Sequence, residues 1–220
     1  MEKFLIFTVV GLTLSAVYAV ISSGLVLTYA TTGIFNFSQG AIGMVTAFAY
    51  WQMRFDWGWP TPIALVLALG LLAPAIGLVI DRVIMRGLRG TSEATRLVVS
   101  ISLMVGLIGL ANVIWEPGES RPMRTFFEGE RVDVGVTTIT YHQAITIVVA
   151  VVVAVGLRFL MHNTRMGVSM RAVVDDDSLA LLNGARPNRI AGISWAIGGF
   201  LAGIAGILIA PTLSLESCLL

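Results

Sequence analysis

Long stretches almost free of charged residues constrain the fold of this 220-residue chain most strongly. A transmembrane helix needs about 20 apolar residues, and six windows approach that length, at about 4–30, 39–53, 62–80, 97–115, 143–161 and 190–210. Charged residues make up 12% of the chain, against about 25% in soluble domains. The sequence therefore predicts an all-α integral membrane protein: one domain over residues 1–220, built as a bundle of about six transmembrane helices.

A polar and glycine-rich break separates the first two windows. Residues 31–43 read Thr-Thr-Gly-Ile-Phe-Asn-Phe-Ser-Gln-Gly-Ala-Ile-Gly. Polar groups at membrane depth are tolerated where protein or a water-filled cavity satisfies them, which makes Asn36, Ser38 and Gln39 candidates for lining a pathway. A plain turn at the membrane surface is the alternative. The window at 39–53 is short and rich in small residues, so a re-entrant or broken helix is an alternative to a full span there.

Arginine distribution predicts the orientation of the bundle. Five arginines lie between residues 158 and 189, and four lie between 81 and 96. These two segments are separated by two predicted spans, so they share one side, and retention of positive charge identifies that side as the cytoplasm. Residues 116–141 then lie outside. The side of the N-terminus stays open, because Glu2 and Lys3 nearly cancel.

The sequence lacks the residue patterns of common catalytic and metal sites. Lys3 is the only lysine, so a phosphate-binding G-x-x-x-x-G-K-[ST] loop is excluded. His142, His162 and Cys218 are isolated from one another in sequence, which argues against a metal site. We therefore expect no enzyme activity, metal or cofactor, and the lack of a basic run argues against nucleic-acid binding. The near absence of ionisable residues in the spans also disfavours ion-coupled secondary transport.

Small residues four positions apart mark the last window. Gly199 and Gly203 form one such pair, and Ala202 and Gly206 form another. Small residues allow helix backbones to approach closely in lipid. They predict either ordinary packing within the bundle or a subunit interface.

The segment 170–189 predicts a short cytoplasmic helix. Three aspartates at 175–177 favour a helix start, and Asn183 and Gly184 favour a stop after Leu182. Such a helix is either a docking element for a soluble partner or a solvated connector. The aspartates are not expected to bind a divalent metal, because they form one run without further ligands.

Several segments carry a family pattern in the same order. Residues 33–40 are similar to G-x-x-N-F-[AS]-[HQ]-G, and residues 81–89 are similar to E-R-x-x-x-R-P-L-R, with Gly87 at the proline position. The cytoplasmic segment matches at Thr164–Gly167, Met170–Ala172, Asp175, Asp176, Ala180 and Gly184. Together these motifs resemble the permease family of branched-chain amino acid ABC importers, the LivH/LivM type, over essentially the whole chain.

The resemblance implies a function and a set of partners. It implies a permease subunit in the bacterial inner membrane that pairs with a second permease, two ATP-binding cassette ATPases and an extracytoplasmic solute-binding protein. Substrate would pass along Asn36, Phe37, Ser38, Gln39 and Gly40. A short cytoplasmic coupling helix would contact the ATPases through Arg171, Asp175, Asp176, Ala180 and Gly184. The implied substrates are branched-chain amino acids or related small amides such as urea, moved by alternating access.

Two alternatives accompany this interpretation. One is a self-contained channel or secondary carrier, and the other is a non-transporting, truncated permease. Members of the resembling family continue for about two further spans, so the chain is expected to be incomplete at its C-terminus. At residues 178–180 the general importer pattern E-A-A is barely met, so the coupling assignment depends on the subfamily resemblance.

Overall fold

Nine α-helices and one β-hairpin make up the described part of the chain. The computed structural model describes residues 2–88, 90–116, 121–126, 131–134, 137–175, 177–182 and 186–213. The helices are α1 (Glu2–Thr32), α2 (Gln39–Trp51), α3 (Thr61–Leu65), α4 (Ala73–Val83), α5 (Glu93–Ile114), α6 (Tyr141–Asn163), α7 (Arg165–Asp175), α8 (Asp177–Leu182) and α9 (Pro187–Leu213). Three short segments extend these helices: π-helical segments at Gln52–Asp56 and Val66–Leu72, and a 3₁₀ turn at Met85–Leu88.

Five helical segments in the described chain are long and apolar enough to cross a membrane. They are Ile6–Thr32, Thr61–Leu88, Glu93–Ile114, Tyr141–Asn163 and Pro187–Thr212. These segments coincide with five of the six predicted windows, which confirms an all-α integral membrane protein. The remaining window, at about 39–53, contains α2, which has 13 residues, most of them buried. Its structure agrees with a short element inside the bundle.

Helix α9 lies at the centre of the bundle and contacts α1, α2 and α4. Glycines make these contacts close. A Cβ atom placed on Gly43 of α2 would lie 2.7 Å from the carbonyl oxygen of Ala202, and one placed on Gly199 would collide with the backbone of Ala73 in α4. The small residues of α9 therefore serve packing within this chain, which is one of the two alternatives that the sequence allowed.

The two arginine-rich segments lie on the same side of the bundle, as their spacing predicts. The guanidinium of Arg86 donates to the carboxylate of Asp81 at 3.2 Å and to the backbone carbonyl of Asn188 at 3.2 Å. This contact joins the end of α4 to the start of α9. Helix α1 contacts the strand at Thr137–Thr140 on the opposite side of the bundle. Thr32, at the other end of α1, borders the same space as Gly90 and Pro187. The orientation of α1, which the sequence left open, is thereby defined relative to the other helices.

A short hairpin forms in the segment between α5 and α6. Strands β1 (Arg131–Val134) and β2 (Thr137–Thr140) pair antiparallel, with Arg131 opposite Thr140. Helix α6 begins directly after β2 with a reciprocal cap, in which Thr140 and Gln143 bond each other's backbone N–H groups. The hairpin is an addition to the predicted helical bundle and lies on the side opposite the arginine-rich segments.

Candidate functional site

The break between α1 and α2 is an extended segment that turns back into the bundle. Gly33 ends α1 with φ of 64° and donates its N–H to the carbonyl oxygen of Tyr29 at 2.8 Å. This left-handed conformation is a common helix stop that glycine adopts without steric cost. Burial then alternates along residues 34–38, with Ile34, Asn36 and Ser38 buried and the two phenylalanines between them exposed. The segment therefore has an inner and an outer face.

The inner face of the break carries a closed hydrogen-bond network. The hydroxyl of Ser38 donates to the side-chain oxygen of Asn36 at 2.6 Å. The side-chain NH₂ of Asn36 donates to the side-chain oxygen of Gln39 at 3.1 Å. These three side chains are 0%, 1% and 3% exposed, respectively. Buried polar groups are costly unless they are paired. The network satisfies these groups within the chain and holds the backbone of the break in position.

Two distant helices fix the break in place. The amide of Gln39 donates to the backbone carbonyl of Gly198 in α9 at 3.0 Å, and the backbone N–H of Phe37 donates to the hydroxyl of Ser100 in α5 at 2.7 Å. Gly198 lies 11 residues after the start of α9, which corresponds to roughly 16 Å along the helix. Since a hydrocarbon core is about 30 Å thick, α2 begins near the middle of the bundle.

Ser100 is a site residue that the sequence analysis missed. It lies in an otherwise apolar predicted span and is fully buried. A lone serine in a span carries a weak signal, because serine hydroxyls commonly bond the carbonyl of their own helix, as Ser102 does with Val98. Only the return of the chain at Phe37 gives Ser100 its role as an acceptor.

The outer face of the break is aromatic and open. Phe35 lies between Tyr29 and Phe37, with ring centroids 5.4 Å apart in both pairs, and Phe37 is 42% exposed. Gly40, in the first turn of α2, is exposed, and a Cβ atom there would meet nothing within 4 Å. Of the five predicted path residues, Phe37 and Gly40 therefore face outward, and the three polar ones face inward.

A cavity of about 500 Å³ lies where the break meets the arginine-rich side. Its walls come from the end of α1, the start of α5, α7 and the first residue of α9, including Thr32, Gly33, Arg96, Val173 and Pro187. The Nε atom of Arg96 is buried and has no hydrogen-bond partner among the described residues, and no acidic residue is among the described wall residues. A guanidinium without an anion beside it makes this cavity suited to a group with negative charge.

The predicted coupling segment forms two helices, α7 and α8. Helix α8 (Asp177–Leu182) lies where the sequence predicts a short helix, while α7 was not predicted, and the expected stop at Asn183 and Gly184 lies outside the described residues. Arg171 is exposed on α7, and Ala180 is buried on α8. Asp176 and Gly184 lie outside the described residues, as does the side chain of Asp175. The two side chains that follow Ala180, Leu181 and Leu182, are strongly exposed, with Leu182 at 84%.

The two histidines lie apart and make separate local contacts. Nε2 of His142 lies 3.0 Å from the carbonyl oxygen of Leu208, and its ring stacks on Phe126. Nδ1 of His162 lies 3.0 Å from the carbonyl oxygen of Arg158, within the same helix. Within the described ranges of the chain, no three His, Cys, Asp or Glu side chains cluster closely enough to hold a metal ion.

Comparison with known families identifies the type of protein. The family described as the permease component of the branched-chain amino acid transport system matches residues 7–217. The chain belongs to this family. It is a permease subunit of an ATP-binding cassette importer and a multi-pass membrane protein, as the motifs at residues 33–40 and 81–89 imply. A transport permease is not itself an enzyme.

Curated relatives of this permease include the high-affinity branched-chain amino acid transport system permease LivH of Escherichia coli (strain K12). The two chains are 28% identical over 211 residues, which cover 90% of this chain and 68% of LivH. BraD of Pseudomonas aeruginosa, with the same transport system in its name, is 26% identical over the same shares. The fructose import permease FruF of Bifidobacterium longum is 28% identical over 88% of this chain and 52% of FruF. No solved structure matches this chain significantly.

Proposed function

We propose that this permease forms the transmembrane path for branched-chain amino acids or related small amino acids and amides, by alternating access driven by partner ATPases. The observation that supports it best is the break at residues 33–40. In a chain of this family, it places an open face at mid-bundle and holds that face rigidly through Gln39 and Ser100. The substrate passes along Phe37 and Gly40, while Asn36, Ser38 and Gln39 keep the backbone in position.

The cavity beside Arg96 supports an amino acid as the substrate. A zwitterion needs a positive group for its carboxylate and a negative one for its ammonium group. Arg96 supplies the first, and the last carbonyls of α1, at Thr31 and Thr32, carry the partial negative charge of a helix C-terminus. Both border the same space, and Tyr29, Ile34 and Val173 among its walls offer apolar surface to a branched side chain.

A sugar is the second candidate substrate, because FruF, a relative of similar identity, is named as a fructose importer. A neutral sugar has no need of Arg96. Uptake of labelled leucine, urea and fructose into vesicles that contain the permease with its ATPases and binding protein separates these substrates. We expect ATP-dependent leucine uptake, lowered at least about tenfold by Arg96→Gln. Fructose uptake that is unaffected by Arg96→Gln would assign the path to sugars instead.

Helix α8 is the proposed docking element for the ATPase. Exposed leucines on the arginine-rich side offer a small apolar surface of the kind that stable interfaces bury at their centre. In the sequence, Arg171 precedes these leucines, and the expected coupling residues Asp175, Asp176, Ala180 and Gly184 flank them. Co-purification of the ATPase with Leu182→Asp tests this assignment. We expect loss of the ATPase, whereas Ala94→Asp, an exposed change on the same side in the first turn of α5, retains it.

The remaining partners and the location complete the proposal. Residues 81–96 and 158–189 face the cytoplasm across the bacterial inner membrane, because positively charged segments are retained there. Residues 116–141, with the hairpin, face the extracytoplasmic solute-binding protein. The open aromatic face at mid-bundle turns toward a second permease subunit, so that substrate passes between the two chains. We assign residues 1–220 to one permease transmembrane domain.

A further inference from the structure

A second groove lies between α1, α6 and α7 on the arginine-rich side. It encloses about 450 Å³. Its apolar lining includes the buried Leu27 and Met170, the partly buried Leu157 and Met161, and the exposed Val26. Leu27 and Met170 pack together with Ile190 of α9 in one buried cluster. The groove is thus a stable feature of the helix packing and does not belong to the break at residues 33–40.

Basic side chains surround the mouth of the groove. Arg158 and His162 lie one helical turn apart on α6, and Arg171 faces them from α7. No acidic residue is among the groove's described wall residues. Within the part of the chain whose side chains are described, neither arginine forms an ion pair. The mouth therefore carries positive charge that its own walls do not neutralise.

The position of these charges in the membrane defines what can bind there. Arg158 lies five residues before the end of α6, roughly 7.5 Å along the helix. An arginine at this depth extends its guanidinium to the interface, where lipid phosphates lie. Beyond the groove, α6 exposes Val151, Val152 and Val155, so apolar surface continues from the groove along the span.

We propose that this groove is a binding site for an anionic phospholipid of the cytoplasmic leaflet. Its phosphate and acidic headgroup lie against Arg158 and Arg171, and its acyl chains lie along Leu157 and the apolar face of α6. Basic pockets between transmembrane helices on the cytoplasmic side are suited to such headgroups. The lipid would join α7, which leads to the proposed ATPase-docking helix, to the end of α1.

Native mass spectrometry of the full chain in mixed micelles of phosphatidylglycerol and phosphatidylcholine tests the site. We expect the wild type to retain phosphatidylglycerol in preference to phosphatidylcholine. Each arginine contributes a factor of roughly five, so Arg158→Gln/Arg171→Gln lowers the preference about thirtyfold. The matched control, Arg165→Gln/Arg189→Gln, removes the same charge from exposed positions on the same side, outside the groove. It changes the preference less than twofold.

Further variants keep the proposal testable if the double variant unfolds. Arg158→Lys/Arg171→Lys preserves charge and is expected to keep most of the preference. Arg158→Gln, inside a span and away from α8, is expected to lower the preference about fivefold while leaving ATPase co-purification intact. If Arg158→Gln instead lost the ATPase while it kept its preference for phosphatidylglycerol, the groove would be reassigned to the partner protein.

Three other results would overturn the lipid site. The first is an unchanged preference in the folded Arg158→Gln/Arg171→Gln variant. The second is an equal loss in the control, which would indicate general surface charge. The third is full displacement of phosphatidylglycerol by inorganic phosphate at millimolar concentration, which would make the groove a site for a free anion.

Discussion

The side-chain amide of Gln39, the first residue of α2, donates a 3.0 Å hydrogen bond to the backbone carbonyl of Gly198, in the middle of α9. The two residues are 159 positions apart in the chain. This bond places the start of α2 at mid-bundle, and the extended segment before it must therefore return from the end of α1. The outward position of Phe37 and Gly40 follows from this geometry.

Ser100 is expected to be the second support of the break. Ser100→Ala removes the acceptor of the partly buried N–H of Phe37, and the loss of one such hydrogen bond costs about 1 kcal/mol. The free energy of unfolding in detergent should fall by that amount. Ser102→Ala, on the same helix, removes only a bond to its own helix at an exposed position and should change stability by less than about 0.5 kcal/mol. Equal effects of the two changes would contradict the role of Ser100.

Close packing of α2 on α9 depends on the absence of a side chain at Gly43. A Cβ atom there would lie 2.7 Å from the carbonyl oxygen of Ala202, and this oxygen belongs to the backbone and cannot rotate away. Gly43→Ala should lower the free energy of unfolding by about 1–3 kcal/mol, as overpacking does. Gly109→Ala is the matched control, because nothing lies within 4 Å of that position. It should be neutral or stabilise by up to about 1 kcal/mol. Denaturation of both variants in detergent decides between these outcomes.

Arg86 and Asp81 are expected to hold the start of α9 against the end of α4. Asp81 is 1% exposed, and Arg86→Met leaves its carboxylate without the guanidinium that it accepts from. The loss should be about 2 kcal/mol in the free energy of unfolding. Arg82→Met, an exposed neighbour, should change it by less than about 0.5 kcal/mol. A loss for Arg82→Met as large as that for Arg86→Met would assign the effect to net charge on this side.

The spans were predictable from sequence, because an apolar window of sufficient length has few alternatives to a membrane helix. The presence of a short helix near residues 177–182 was also predictable, because the aspartates at 175–177 favour a helix start locally. The inward direction of the Asn36, Ser38 and Gln39 side chains was not predictable from the sequence. Their inward position depends on Ser100 and Gly198, which distant segments supply. Local sequence places these polar residues at a break, but it does not contain the distant partners that they bond.

Uptake by a Gly40→Leu variant tests the central claim most directly, namely that substrate passes along the outer face of the break. Space is open at Gly40, so the leucine can be accommodated by the fold but extends into the proposed path. We expect ATP-dependent leucine uptake to fall at least about tenfold, with unfolding and ATPase co-purification unchanged, while Gly109→Leu transports normally. Wild-type uptake by a folded, assembled Gly40→Leu variant would contradict this path.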